Sequence, residues 1–342
     1  MKGGVSLQDL QWLWAWGKTA GSDIDASRLT AARTLGSYSQ QQLHRIKLES
    51  KLEFEGSDGH LLILRTEANY KAFQPTIASL KASGVALREL QPADITKIEP
   101  SFHPDHPIHS AVHLPNDGVG NCRQFSLQLK AATQQLGVTF RFGTHIEDIQ
   151  TNPRLALIIQ GEASNQSYDR IVLCTGEAAP FLKTRLRIKL PMACVHGYSV
   201  SAAIREPLNA PTSALTDIDS QIVIARIGNR VRVSGGAELG GNCTTKDPKT
   251  IQSLFKALQD YFPGAAQYPH GTQVWKGSRI LTADGLPIIG MSAMPGVWLN
   301  LAHGANGWGT ACGSARIVAD QISGKAPQLD PNPFSPARSH GG

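Results

Sequence analysis

Residues 275–325 read WKGSRILTADGLPIIGMSAMPGVWLNLAHGANGWGTACGSARIVADQISGK. Val297, Trp298, Leu299 and Leu301 form a short apolar run of the kind a buried strand shows. His303-Gly304-Ala305-Asn306-Gly307 follows as a turn. A helix is expected from about Trp308 to Ser323, kept thin by Ala311, Gly313, Ser314, Ala315 and Ala319 and stopped by Gly324-Lys325. Strand, glycine turn and slim helix let a flat or anionic group sit against a helix N-terminus, where free N–H groups and the positive dipole end face it. Alone the pattern is ambiguous, because such a turn before an alanine-rich helix is more often plain close packing than a cofactor seat.

The whole stretch is more specific than its parts. Trp275, Gly277, Arg279, Thr282, Asp284, Gly285, Pro287, Gly290, His303, Gly304, Gly307, Trp308, Ala311, Cys312, Gly313 and Ser314 fall in one ordered series. That series resembles the C-terminal signature of the FAD-dependent D-amino-acid oxidase superfamily, and within it most closely the small subunit of the bacterial D-amino-acid dehydrogenases. Leu64-Arg65-Thr66-Glu67, Glu99-Pro100, Leu114-Pro115-Asn116-Asp117 with Gly120 and Cys122, Phe140-Arg141-Phe142 and Gly197-Tyr198-Ser199 match in order as well. The likeness covers nearly the whole chain.

The resemblance implies an α/β fold in which a truncated, Rossmann-like FAD-binding domain (115–189 and 275–327) is interleaved with a mixed-sheet substrate domain (46–114 and 190–274). A helical segment (1–45) would precede them and a surface tail (328–342) would follow. It implies oxidation of a D-amino acid by hydride transfer to flavin, the imine then hydrolysing to a 2-oxo acid and ammonia. A quinone or other respiratory acceptor would take the electrons, which would place a cytoplasmic enzyme at the inner face of the bacterial membrane as a peripheral protein.

Arg279 is the strongest single candidate, because a guanidinium presents a planar fork that matches a carboxylate bidentately. The resemblance gives it that role toward the substrate; without the family, a structural ion pair would be the better reading. Tyr198 could offer a hydroxyl to the substrate or could simply pack in a sheet. His303, Gly304, Asn306, Gly307, Trp308 and Gly309 would line the flavin ring, with backbone donors and the helix dipole stabilising negative charge at its N1/O2 edge. His303 could shuttle a proton, although a packed histidine is the commoner case. Ala302 stands where the family usually has glycine. Thr175-Gly176, after the apolar run Ile171–Leu173, would let the backbone approach the cofactor, and Ile146 would contact adenine through its main chain. Asp117 and Asp284 sit beside or near glycines and look like turn formers.

Composition limits the alternatives. The chain has 342 residues, 41% of them hydrophobic and 18% charged, which is globular and not disordered. A net charge of +6 without any basic run gives no support for nucleic-acid binding. Five scattered cysteines without a C-x-x-C argue against a metal site and a disulfide frame, and point to a reducing compartment. No signal peptide or membrane-spanning stretch is evident. Trp12, Trp14 and Trp16 could form an interfacial belt, but an amphipathic helix packed on the body explains them as well.

Along the chain, helices are expected over about 7–17, 26–47, 67–84, 91–99, 121–136 and 246–262. Strands are expected over 61–64, 85–90, 138–149 and 191–204, with 154–159 and 168–173 as a pair. A loop is expected at 113–120, and a helix after Gly176. Ser220–Arg226 and Arg230–Gly235 around Gly228-Asn229 form a hairpin signal. A strand–G-x-G-x-x-G–helix unit is absent; the only early glycine pair, Gly3-Gly4, follows no strand. A late-called start, a truncated gene or a second chain that supplies the unit would each account for this. The expectation is weak or absent FAD binding by this chain alone. Two rivals stand beside the dehydrogenase reading: a related amine oxidase of the glycine or sarcosine type, and a non-catalytic remnant.

Overall fold

The computed structural model describes residues 5–19, 24–176, 186, 188, 191–268 and 271–338. Helices α1 (Leu7–Thr19) and α2 (Ile24–Glu49) open the chain. They are followed by β1 (Gly56–Leu64), α3 (Glu67–Ala82), β2 (Arg88–Leu90), α4 (Pro92–Ile98), β3 (Ser110–Gly120) and α5 (Cys122–Gln135). Four short strands come next, β4 (Ile146–Gln150), β5 (Ala156–Ile159), β6 (Gln166–Ser167) and β7 (Ile171–Leu173). The second half holds β8 (Met192–Ile204), β9 (Ala214–Asp217), β10 (Ile222–Ile227), β11 (Arg230–Leu239), α6 (Pro248–Tyr261), β12 (Ala266–Gln267), β13 (Gln273–Thr282), β14 (Ile288–Met291), β15 (Val297–Leu301) and α7 (Gly307–Ile322). This is the mixed α/β architecture expected. The helix expected after Gly176 falls on residues 177–185, outside the described residues.

Three sheets organise these elements. The largest runs β12-β8-β11-β10-β9-β1-β3-β2, with β13 also on β8, and is antiparallel apart from the β1–β9 pair. A second is β14-β15-β7, in which β15 and β7 are parallel, and a third is β4-β5-β6. The large sheet therefore continues through the 274/275 boundary expected between domains, since β13 pairs with β8 from Gln273 to Thr282.

The large sheet buries one face under α6, whose Leu254, Ala257, Leu258 and Tyr261 join Leu61, Val200, Leu215, Ile224 and Val233 in one core. Asp247 caps that helix by accepting from the Thr250 N–H at 3.1 Å. Part of the other face is covered by α3, with Ile77 against Leu62, Leu64, Val112 and Leu114. A capping box between Thr66 and Asn69 starts α3. The slim helix α7 lies against α2, where a Cβ on Gly313 would come within 2.9 Å of the Ser39 backbone. Leu35, Tyr38, Ile317 and Val318 fill that contact.

Several sequence expectations are corrected. Residues 113–120 are not a loop; they belong to β3, paired with β1 from Gly56 to Leu64. The turn residues Pro115, Asn116 and Asp117 are absorbed opposite Gly59 in a bulge, where the register jumps between Asp58 and His60. The strand expected over 138–149 is confined to Ile146–Gln150, behind a turn at Gly143 with φ +66. The segments 154–159 and 168–173 meet only at their near ends, where the Tyr168 N–H donates to the Leu155 carbonyl at 2.9 Å; otherwise β5 joins β4 and β6, while β7 joins β15. The segment from 328 is anchored, not merely superficial. Phe334 is buried, and Arg338 bonds Asp284 and the carbonyls of Leu286, Pro287 and Phe334.

Candidate active site

Side chains alternate across a strand, so the register of β8 and β13 decides which groups can meet. Val195 pairs with Arg279, Gly197 with Gly277 and Ser199 with Trp275; His196 pairs with Ser278 and Tyr198 with Lys276. Arg279, Trp275 and both glycines therefore share one face, and Tyr198 and Lys276 occupy the other.

On the first face the Arg279 guanidinium lies over Gly197, with Nη2 2.0 Å from where a Cβ would stand. The six-membered ring of Trp275 fills the equivalent place over Gly277, 1.9 Å from its would-be Cβ. The missing methyls of two directly paired glycines thus make the floor on which both side chains rest. Arg279 is half-buried and has no hydrogen-bond acceptor or carboxylate partner among the described residues. Burial pushes its guanidinium below the usual arginine range.

The glycine turn reaches the same face. Leu281, two residues along β13 from Arg279 and on the same side, forms a bridge to His303, and a Cβ on Gly304 would meet the Leu281 side chain at 3.4 Å. His303 therefore lies along the edge of β13 opposite β8, and two residues of strand, about 7 Å, separate its bridge at Leu281 from Arg279. The turn is set by Ala302 at φ +57 and Gly304 at φ +58. Ala302 holds a left-handed conformation where an L-residue is disfavoured, which is the physical reason glycine suits that position.

His303 fixes the turn. Its Nδ1 lies 3.1 Å from Thr310 Oγ1 and its Nε2 2.9 Å from Asn300 Oδ1, while the Thr310 hydroxyl donates to the Asn306 carbonyl. Burial lowers its pKa from the usual imidazole value. With both ring nitrogens engaged, His303 positions the turn and has no free nitrogen for a proton shuttle. Asn306 makes no side-chain cap, and a 3-10 turn over Gly304–Asn306 leads straight into α7, whose first-turn N–H groups are the donors a ligand would use. A Cβ on Gly309 or Gly176 would meet nothing within 4 Å, so both backbones are accessible.

The parallel pair β7–β15 brings Thr175-Gly176 to the same edge. Leu173 pairs with Leu299, so the chain after β7 and the 302–309 turn leave the sheet side by side at its carboxyl end. Ligands of parallel α/β sheets bind at such ends.

Other expected site residues are placed differently. The Tyr198 hydroxyl donates to Glu238 Oε2 at 2.5 Å and accepts from the Asp247 N–H at 3.1 Å. Lys276 completes this buried group through Glu238 Oε1 at 2.9 Å. That hydroxyl hydrogen bond is the main force holding the Glu238 carboxyl below its usual range. Tyr198 is thus turned to the face opposite Arg279 by the alternation of β8. The Trp308 indole packs edge-on against Phe54 and Phe125, leaving its backbone as its part of the site. Ile146 sits at the exposed start of β4, in the separate three-stranded sheet. Asp284 is the turn former expected, accepting from the Leu286 N–H at 3.2 Å. The glycine floor was missed as a functional feature, although glycines inside two apolar strands signal close approach.

A model of FAD-dependent oxidoreductases, the DAO family, matches residues 10–321. The chain belongs to this family. A D-amino acid dehydrogenase of Granulibacter bethesdensis is 32% identical over 335 residues, covering 97% of this chain and 80% of that protein. Glycine oxidase from Geobacillus kaustophilus superposes with a TM-score of 0.79 at 19% identity, over 91% of this chain and 83% of its own. Iminodiacetate oxidase from Chelativorans sp. BNC1 gives 0.76 at 17% identity, over 94% and 86%. At these structural identities the likeness is one of fold.

The family's cofactor fits the ring end of the site. The N–H groups at the start of α7 are donors for the flavin N1/O2 edge, and the glycine backbones leave room for a flat ring. The diphosphate end has no G-x-G-x-x-G counterpart in the sequence. Among the described residues there is no group of side chains that could hold a metal, all five cysteines are free, and no helix is long and apolar enough to cross a membrane.

Proposed function

We propose that this DAO-family chain oxidises a D-amino acid to the imine that hydrolyses to a 2-oxo acid and ammonia. Arg279 is the observation that carries the reading: a half-buried cation without a counter-charge among the described residues, on the strand that bridges to the glycine turn, calls for an anionic ligand. A substrate α-carboxylate supplies that charge, and gripping it directs the α-carbon toward the space before the turn. Bound FAD supplies the hydride acceptor there. The N–H groups of residues 307–309 hold negative charge on that side through the start of α7. His303 keeps the turn in place and abstracts no proton, so the substrate amine reaches the site deprotonated from solvent. The similarity to a D-amino acid dehydrogenase supports the D configuration, and a quinone-type respiratory acceptor completes the proposal.

The test is turnover of a panel of D- and L-amino acids, glycine and sarcosine, with FAD and an artificial electron acceptor. Formation of 2-oxo acid from D-amino acids alone is the expected result. Exclusive use of glycine or sarcosine would transfer the site to the related amine oxidases. An FAD titration run alongside shows whether the chain alone retains the cofactor.

A further inference from the structure

We infer that Trp275 is the residue that selects the substrate side chain, and that it favours large apolar or aromatic ones. The inference rests on the carboxylate role of Arg279 and goes beyond it. Trp275 and Arg279 stand four residues apart on β13, on the same face, each over one member of the Gly197–Gly277 pair. Paired positions on neighbouring strands hold their side-chain bases about 5 Å apart, so the indole and the guanidinium lie side by side. A carboxylate bound by Arg279 therefore places the substituent on its α-carbon within reach of the indole.

The indole is otherwise unexplained. It is 57% exposed and joins no aromatic pair among the described residues, whereas Trp12 and Trp308 are stacked or packed. It is held in place by the bare backbone of Gly277, where any Cβ would displace it. A large, rigid apolar surface fixed beside an anion-binding cation has the form of a side-chain subsite. A small substituent such as a methyl would cover little of that surface, whereas a phenyl group would cover much of it.

The experiment is anaerobic equilibrium binding of D-phenylalanine and D-alanine to the full chain in excess reduced FAD, which accepts no hydride, followed by calorimetry. Wild type is expected to bind D-phenylalanine about tenfold or more tightly than D-alanine, the range that a few apolar contacts provide. Trp275→Ala should bring the two affinities together while changing that for D-alanine by no more than about twofold, and Trp275→Phe should retain most of the preference. Equal losses for both ligands in Trp275→Ala, or no preference in wild type, would overturn the inference. Arg279→Met separates the two readings: if it leaves both affinities intact, the carboxylate grip fails, whereas the ratio still reports on Trp275.

Discussion

Arg279 is seated on the backbone of Gly197, its Nη2 at 2.0 Å from the point where a side-chain carbon would begin. Gly197→Ala must move the guanidinium, the far end of a flexible side chain, more than it moves the sheet. The expected outcome is a KM for the amino acid raised about tenfold or more, because small misplacements of a positioning group are costly. The denaturation midpoint should shift only slightly. Kinetics and urea melts on the same preparation check both parts.

Replacing Arg279 by methionine removes a half-buried cation that no described residue neutralises. Folding stability is expected to stay level or rise by about 1 kcal/mol, since an unpaired buried charge costs free energy. Substrate affinity should fall by at least about 100-fold with the loss of two charge-assisted hydrogen bonds. A destabilised variant with unchanged affinity would assign Arg279 a structural role.

Tyr198→Phe tests the opposite face of the sheet. It deletes the hydrogen bond to Glu238, and a bond to a charged acceptor is worth about 2 kcal/mol. Stability should drop by roughly that amount, while KM for the amino acid stays within about twofold. A large rise in KM with little change in stability would return Tyr198 to the site.

Arg338→Ala breaks the pair with Asp284, whose side chains are only 10% and 3% exposed. Stability is expected to fall by about 3 kcal/mol, the usual effect of stranding a buried charge. Burial alone would raise the Asp284 carboxyl, but the hydrogen bonds and charge of Arg338 outweigh it and leave the group below its ordinary value of 3.8. The unfolded chain therefore binds this proton more readily than the folded one. The contribution of the pair is complete above about pH 4 and is lost as pH falls through the depressed value. Denaturant melts from pH 7 downward should show the wild-type advantage shrinking below pH 4; an advantage constant to pH 2 would contradict the assignment.

Much of this molecule could be read in advance. Local signals, such as the thin α7 and the β10–β11 hairpin, acted within a few residues and were legible for that reason. The loop expected at 113–120 failed because its turn signals were real but were overruled by pairing with β1, which confines them to one bulge. The pair expected between 154–159 and 168–173 failed because pattern identifies strands without identifying partners: β7 lies beside β15, more than a hundred residues away in sequence. Tyr198 and Arg279 were both legible as polar groups in strands, and their separation onto opposite faces appeared only with the register.

The sequence by itself determined the family, the elements and the guanidinium, because these depend on residue identity and short-range spacing. Tertiary structure decided that Arg279 has no counter-charge among the described residues, that Tyr198 is locked to Glu238 and that two glycines make a floor for Arg279 and Trp275. Those facts follow from which strand lies beside β13 and in what register, and register is fixed by burying one face of the large sheet in the core beneath α6 and α4.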